Sequence, residues 1–204
     1  ALSSAASDVY KRQCLSSPEM LRYHDEEWGA RQCHDDRALF EFLTLEMMQC
    51  GLSWATVLAK REAMRTAFDN FEPAVLAAYS EAQLAALLEA PGIIHSARKL
   101  SGMVRNARAF VRIQAREGSF DRWFWAFTKG QTVRYPAHSA APAAKTALSE
   151  RISAAFREEG FCFMGPVVVY SFLQAVGMVN DHAPDCFVFN RLSCTEIEDQ
   201  DAFL

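Results

Sequence analysis

No stretch of this sequence stays apolar long enough to cross a bilayer, which takes about 20 consecutive residues. The longest candidate, Val167 to Met178, is interrupted by Ser171 and Gln174, so no membrane partner is expected. The start, Ala1 to Ser7, lacks a charged end leading into an apolar segment. The expectation is therefore no secretory signal and a cytoplasmic location. The six cysteines, Cys14, Cys33, Cys50, Cys162, Cys186 and Cys194, lack the dense spacing of a disulfide scaffold. Core packing or metal binding is their expected use. Cys33, Cys50, Cys162 and Cys194 form no compact cluster, so nothing points to an iron–sulfur site. There is no internal repeat and no clean linker. The 204 residues suit one domain, residues 14–190, of two helical lobes. Residues 1–13 are expected to be disordered or engineered, and 191–204 to form an acidic, loosely ordered tail.

What the sequence does have is helical period. Leu39, Phe40, Leu43, Met47 and Met48 recur on one face behind a capping Asp35-Asp36. Ser53 can cap a helix from Trp54 to about Phe68, and Pro73 suits the first turn of another. Ser80-Glu81-Ala82-Gln83 reads as a capping box. A long helix is expected from about Ser96 to Arg116, ended by Glu117-Gly118. Residues 130–145 read as loop. The fold class is all-α, with no sheet of consequence.

Net charge is −4, which says little about a local patch. Between His95 and Arg116 there are six basic residues and no acid: Arg98, Lys99, Arg105, Arg108, Arg112 and Arg116. The last four share a helix face. Just upstream, Pro91-Gly92-Ile93-Ile94 makes a tight turn between two helical stretches. Such a turn aims backbone N–H groups at an anion, and a glycine lets it come close. Pro91, Gly92, Ile94, Ser96, Arg98 and Lys99 would form a helix–hairpin–helix clamp on a DNA strand. The same pattern suits a solvated basic face on an ordinary helix pair, and spacing does not separate the two.

Cys14 and His24 near one end, with His182 and Cys186 near the other, carry the donor set of tetrahedral zinc. One structural ion there would staple two chain ends that otherwise fray. The Cys-x9-His spacing is not a standard finger pattern, and two buried cysteines beside two unrelated histidines would read the same. Glu46 lies in the apolar Leu45-Glu46-Met47-Met48 stretch, where a carboxylate must be paired or used. With Tyr23, Trp28 and Trp54 it can build a pocket for a flat cationic ring. If Glu46 instead faces water, those aromatics are only core.

Tyr23-His24-Asp25-Glu26-Glu27-Trp28-Gly29 resembles the Tyr-His-Asp-x-Glu-Trp-Gly segment of the DNA-3-methyladenine glycosylase I family. Leu45-Glu46, then Gly51 to Arg61, resembles its central motif. Pro91-Gly92-Ile93-Ile94, Gly160 to Gly165, Tyr170 to Ala175 and Val179-Asn180-Asp181-His182 follow in register. The resemblance spans about residues 14 to 187. It implies a helix–hairpin–helix glycosylase fold, structural zinc on Cys14, His24, His182 and Cys186, and a monofunctional enzyme of base-excision repair. Its partners would be alkylated double-stranded DNA and free 3-methyladenine as product, and the chain would be a monomer. The implied catalytic residue is Glu46, with Tyr23, Trp54 and Trp28 around the base. The chain departs from the family at Leu15-Ser16-Ser17, at Met20 for a pocket tyrosine, at Met47 where a glycine is usual, and at His95-Ser96-Ala97 after the hairpin. Met20 and Met47 are counted with the base-binding residues for that reason. They also motivate an alternative, a non-catalytic or altered-specificity DNA-binding member of the family.

Overall fold

The structure, a computed structural model, describes residues 17–139 and 143–198. Cys14, the segment 1–13 and residues 199–204 lie outside the described residues. Ten α-helices are described: α1 Pro18–Glu26, α2 Asp36–Gln49, α3 Trp54–Ala59, α4 Arg61–Ala67, α5 Pro73–Ala77, α6 Glu81–Glu89, α7 Ala97–Glu117, α8 Phe120–Trp125, α9 Ala147–Glu158 and α10 Pro166–Ala175. The expected all-α architecture holds.

The helix starts follow local chemistry. Asp35, Ser53, Ser96 and Ser119 each accept a backbone N–H two or three residues into their helix. Ser80 and Gln83 complete the expected capping box, and Pro73 and Pro166 open α5 and α10. The helix expected from Trp54 to Phe68 is broken at Lys60, where α3 ends and α4 begins.

Helix α7 is the axis of the molecule, packed by α2, α5, α6 and α8. Leu100, Met103, Val104, Phe110 and Ile113 are fully buried against Leu39, Phe40, Leu43 and Met47 of α2 and the rings of α8. Phe110 stacks on Phe120 at 3.9 Å and meets Phe40 edge-on at 5.2 Å. Burying each such side chain is worth roughly 1.5–3 kcal/mol, so this cluster dominates folding. Helices α9 and α10 pair with each other, and α10 closes on α2.

The basic face of α7 is exposed, but its arginines are not a run of free cations. Arg108 donates to the carbonyls of Ala77 and Tyr79 just beyond α5. Arg105 and Arg112 donate to Gly160 and Glu159 at the end of α9, and Arg116 binds the Glu159 carboxylate. These cations satisfy carbonyls that helix ends leave unpaired and complement the negative dipole end.

One short sheet departs from the sequence expectation. β1, Thr132–Arg134, pairs in parallel with β2, Cys194–Glu196, and Val133 bridges to Val179. Part of the stretch read as loop, and the part of the tail at 194–196, are thus ordered by each other. The pairing is long-range and leaves no local signal.

Candidate active site

Glu46 sits one turn before the end of α2, 5% exposed, among fully buried Leu45, Met47 and Met48. No hydrogen bond or ion pair reaches its carboxyl from the described residues. Burial alone pushes that carboxyl up to about 8. A carboxyl so placed is neutral near pH 7, and its charge becomes favourable only when a cation or N–H donors enter.

Glu41 on the same helix shows what a structural carboxylate looks like here. Burial works to raise it, but Arg61 and Arg65 overcome that and hold it below the usual range. Arg61 Nε lies 2.6 Å from Glu41, Arg65 Nη2 2.7 Å, and Arg61 Nη1 reaches Glu27 at 2.7 Å. Of the two glutamates on this buried face, Glu46 is the unpaired one.

The aromatics come from the helices that meet α2. Helix α3 packs against both α1 and α2, so the helices carrying Tyr23, Glu46 and Trp54 converge. Gly51, with φ of +80°, turns the chain, Ser53 caps α3, and Trp54 is its first residue. The rings of Tyr23 and Trp54 lie 5.2 Å apart, tilted by 49°. Trp54 is half-buried, and its Nε1 is buried without a hydrogen-bond partner among the described residues. Met20 is buried one turn before Tyr23 on α1. Met47 is fully buried, with its sulfur 3.5 Å from the amide of Asn106 on α7. Trp28 lies instead against the histidines, 4.5 Å from the His182 ring and 6.0 Å from that of His24.

His24, His182 and Cys186 place three potential ligand atoms within 4.8 Å of one another. Cys186 Sγ is 3.7 Å from His24 Nε2 and 3.6 Å from His182 Nδ1. The far nitrogen of each ring is already used: His24 Nδ1 meets Asp25 at 2.8 Å, and His182 Nε2 meets the Trp28 carbonyl at 3.0 Å. Those partners fix the tautomers that turn a lone pair from each ring toward the sulfur. Two imidazoles and a thiol so arranged fit a metal ion that takes nitrogen and sulfur. Cys14, the fourth expected ligand, lies outside the described residues.

Between α6 and α7, Pro91 and Gly92 make a turn with Gly92 at φ +79°. Lys60 Nζ donates to the carbonyls of Gly92 and Ile93 at 3.1 and 3.2 Å. In a trans peptide the N–H points opposite to the C=O. Lys60 therefore turns the N–H groups of Ile93 and Ile94 away from itself, and no backbone bond among the described residues uses them. Ser96 caps α7, accepting from Lys99 N. The Lys99 ammonium is drawn inward to the Met48 and Cys50 carbonyls at 2.9 and 2.7 Å. It ties the end of the glutamate helix to the start of α7.

Several contributors escaped the sequence reading. Lys60, Arg61 and Glu27 stood within motifs, but their partners lie about 20 to 34 residues away in the chain. Asn106, fully buried, clamps Cys162 through both its N–H and its carbonyl at 2.8 and 3.1 Å. His138, to which the sequence gives no role, joins Tyr170 and Asp181, and Gln174 also holds Asp181. That group anchors the segment carrying His182 to α10.

Known proteins share this fold. Residues 13–189 match the model of the methyladenine glycosylase family. The chain is 38% identical over 171 residues to DNA-3-methyladenine glycosylase 1 of Escherichia coli, covering 83% of this chain and 90% of that protein. It is 37% identical over 168 residues to the DNA-3-methyladenine glycosylase of Haemophilus influenzae, covering 81% and 90%. A 3-methyladenine DNA glycosylase I crystallised with 3-methyladenine superposes at a TM-score of 0.83 and 33% identity, over 87% of this chain and 96% of that one. The Staphylococcus aureus 3-methyladenine DNA glycosylase I superposes at 0.80 and 35% identity, over 85% and 92%.

Proposed function

The chain belongs to the methyladenine glycosylase family, and we propose how its residues carry out that activity. It is a DNA glycosylase that hydrolyses the N-glycosidic bond of 3-methyladenine in alkylated DNA. The reading of the site rests on one observation above the others: Glu46 is buried without a counter-charge among the described residues, on the helix that α3 joins to α1.

Alkylation at N3 makes the nucleobase cationic, and a cationic base is a good leaving group. The enzyme then has three tasks: to extrude the nucleotide, to recognise the base and to admit water. When the base enters, Glu46 loses its proton and accepts hydrogen bonds from the base's N–H groups, and its charge complements the ring. Trp54 stacks on the ring and Tyr23 orients it. Met20 and Met47 shape the remaining wall, and Trp28 joins it to the histidine cluster. As the C1′–N9 bond breaks, its electron pair neutralises the departing base. A water molecule adds to C1′ and releases one proton, which leaves an abasic site and an uncut strand. Glu46 also faces the positive charge that develops on the sugar.

The DNA strand is held by a helix–hairpin–helix element formed by α6, the Pro91–Gly92 turn and α7. Gly92 permits close approach, and the N–H groups of Ile93 and Ile94, turned from Lys60, meet a phosphate. Pro91 and Ser96 set the two helix ends, Arg98 supplies charge, and Lys99 keeps the glutamate helix in register with the clamp. One zinc ion would be held by Cys14, His24, His182 and Cys186, and it would supply structure by joining the chain ends rather than chemistry. The protein works as a monomer.

The test is direct. Alkylated duplex DNA incubated with the protein should release free 3-methyladenine, and Glu46→Gln should abolish that release. Release at the wild-type rate by the glutamine variant would remove Glu46 from the reaction.

A further inference from the structure

Five of the six cations on α7 are already held by protein oxygens: Lys99, Arg105, Arg108, Arg112 and Arg116. Arg98 has no such oxygen among the described residues. Its guanidinium lies over the ring of Phe163, 5.2 Å from the centroid. Arg98 is exposed, in the first turn of α7, just past the Pro91–Gly92 turn.

Phe163 does not reach that place by default. Its φ is +61°, a left-handed conformation that phenylalanine rarely adopts. The Asn106 clamp on both sides of the Cys162 residue holds the chain there. The ring then fits a notch at Gly102, where a Cβ would come within 2.8 Å of it. Arg98 and Gly102 are neighbours one turn apart on the helix, so a ring in the notch lies beneath the guanidinium.

We propose that Phe163 is a positioning residue for DNA: seated at Gly102 and held by Asn106, it aims Arg98 at one phosphate of the strand gripped by the hairpin. This rests on the glycosylase reading above. A free arginine loses considerable rotamer freedom when it binds. Stacking removes much of that freedom in advance. It occupies only the flat face of the guanidinium and leaves the N–H edge for two parallel bonds to a phosphate. Local strain of this kind persists where the surrounding structure enforces it, and such positions cluster at working sites.

The experiment is a double-mutant cycle on DNA affinity, measured by fluorescence anisotropy with a duplex carrying a tetrahydrofuran abasic analogue across a salt series. Arg98→Ala is expected to bind about tenfold more weakly, with the slope of log K against log salt reduced by about 0.9, one phosphate contact. Phe163→Leu should lose most of the same affinity, and Phe163→Tyr should retain it. The Arg98→Ala/Phe163→Leu double variant should be no weaker than Arg98→Ala alone. Affinity for free 3-methyladenine, measured by calorimetry, should stay within twofold throughout. Additive losses, or wild-type DNA affinity in Phe163→Leu, would overturn the proposal. Should Phe163→Leu not fold, Gly102→Ala, which displaces the ring, enters the cycle in its place with the same expectation. A wild-type protein that neither binds the duplex nor releases 3-methyladenine refutes the glycosylase reading itself. Excision with additive losses refutes only the role of Phe163.

Discussion

Glu41 and Glu46 lie on one helix, and near neutral pH the first is charged while the second is not. Burial acts on both, and the difference is Arg61 and Arg65. The first carboxylate has a structural use for its charge. The second, in the proposed reaction, meets a charge that arrives with the substrate.

That difference predicts opposite stability profiles. The carboxyl of Glu46 is raised in the folded protein, so it destabilises the free enzyme increasingly as pH climbs from about 4.5 toward about 8. Glu46→Gln should therefore raise the stability of the free protein by about 1–3 kcal/mol at pH 7.5, and by almost nothing at pH 4. Glu41 is lowered, so its contribution is present above the ordinary carboxylate range and fades on acidification. Glu41→Gln takes from the buried Arg61 one of its two carboxylates, leaving Glu27, and should cost about 1–3 kcal/mol at pH 7. Chemical denaturation of both variants at the two pH values checks the pair. Equal pH profiles for the two substitutions would contradict the assignment.

Much of the scaffold is legible because its causes are local. Ser53, Ser80 and Ser96 announce their helices through caps, and the α2 and α7 stripes announce the core through periodicity. What is not legible is long-range. Glu41 and Glu46 look alike in sequence, since the arginines that separate them come from α4. The four arginines along α7 read as a free cationic face because the oxygens they bond, three sets of carbonyls and the Glu159 carboxylate, lie far off in sequence near other helix ends. The break at Lys60 has no Pro or Gly to mark it, and the lysine's partners are on the hairpin. The strand at 194–196 pairs with Thr132–Arg134, about 60 residues earlier. The candidate site was read mainly through whole motifs, where several such long-range demands fall together on a few residues.

The pocket makes its own prediction. Trp54 contributes a ring that is only half-buried and stands 5.2 Å from Tyr23. Removing one base-stacking aromatic weakens binding by about 1–3 kcal/mol. Trp54→Ala should thus bind free 3-methyladenine about 10- to 100-fold more weakly. Tyr23→Phe, which keeps the ring, should lose less. Calorimetric titration with the free base measures both. An unchanged affinity in Trp54→Ala would place the base elsewhere.

The metal reading predicts both composition and stability. Purified protein should carry one zinc per chain, and Cys14→Ser and Cys186→Ser should each lose it. With the staple gone, the ring nitrogens of His24 and His182 keep their outer partners but lose the ion between them. A loss of about 3–4 kcal/mol in a chain of this size lowers the Tm by on the order of 10 °C. Elemental analysis beside thermal melting, with and without chelator, reads both effects. Folded wild-type protein free of metal, with a melting point indifferent to chelator, would rule the site out.

The last prediction concerns the turn that Lys60 organises. Lys60 holds the carbonyls of Gly92 and Ile93, and the peptide geometry then directs the next N–H groups away from the lysine. Lys60→Met removes those two bonds without touching the outer surface of the turn. Its effect on DNA must come from the hairpin's shape. A charge lost near phosphates would lower the salt slope of binding, whereas a misdirected N–H pair weakens affinity at every salt concentration with little change of slope. The expected result is a five- to tenfold loss, about 1–1.4 kcal/mol, with the slope kept. Gly92→Ala adds a Cβ at 3.0 Å from that of Ala63, on a backbone with φ of +79°. It should therefore weaken DNA binding at least as much, while binding of free 3-methyladenine stays intact. Loss of slope in Lys60→Met would mean that the ammonium itself meets a phosphate, and that its bonds to the hairpin give way when DNA arrives.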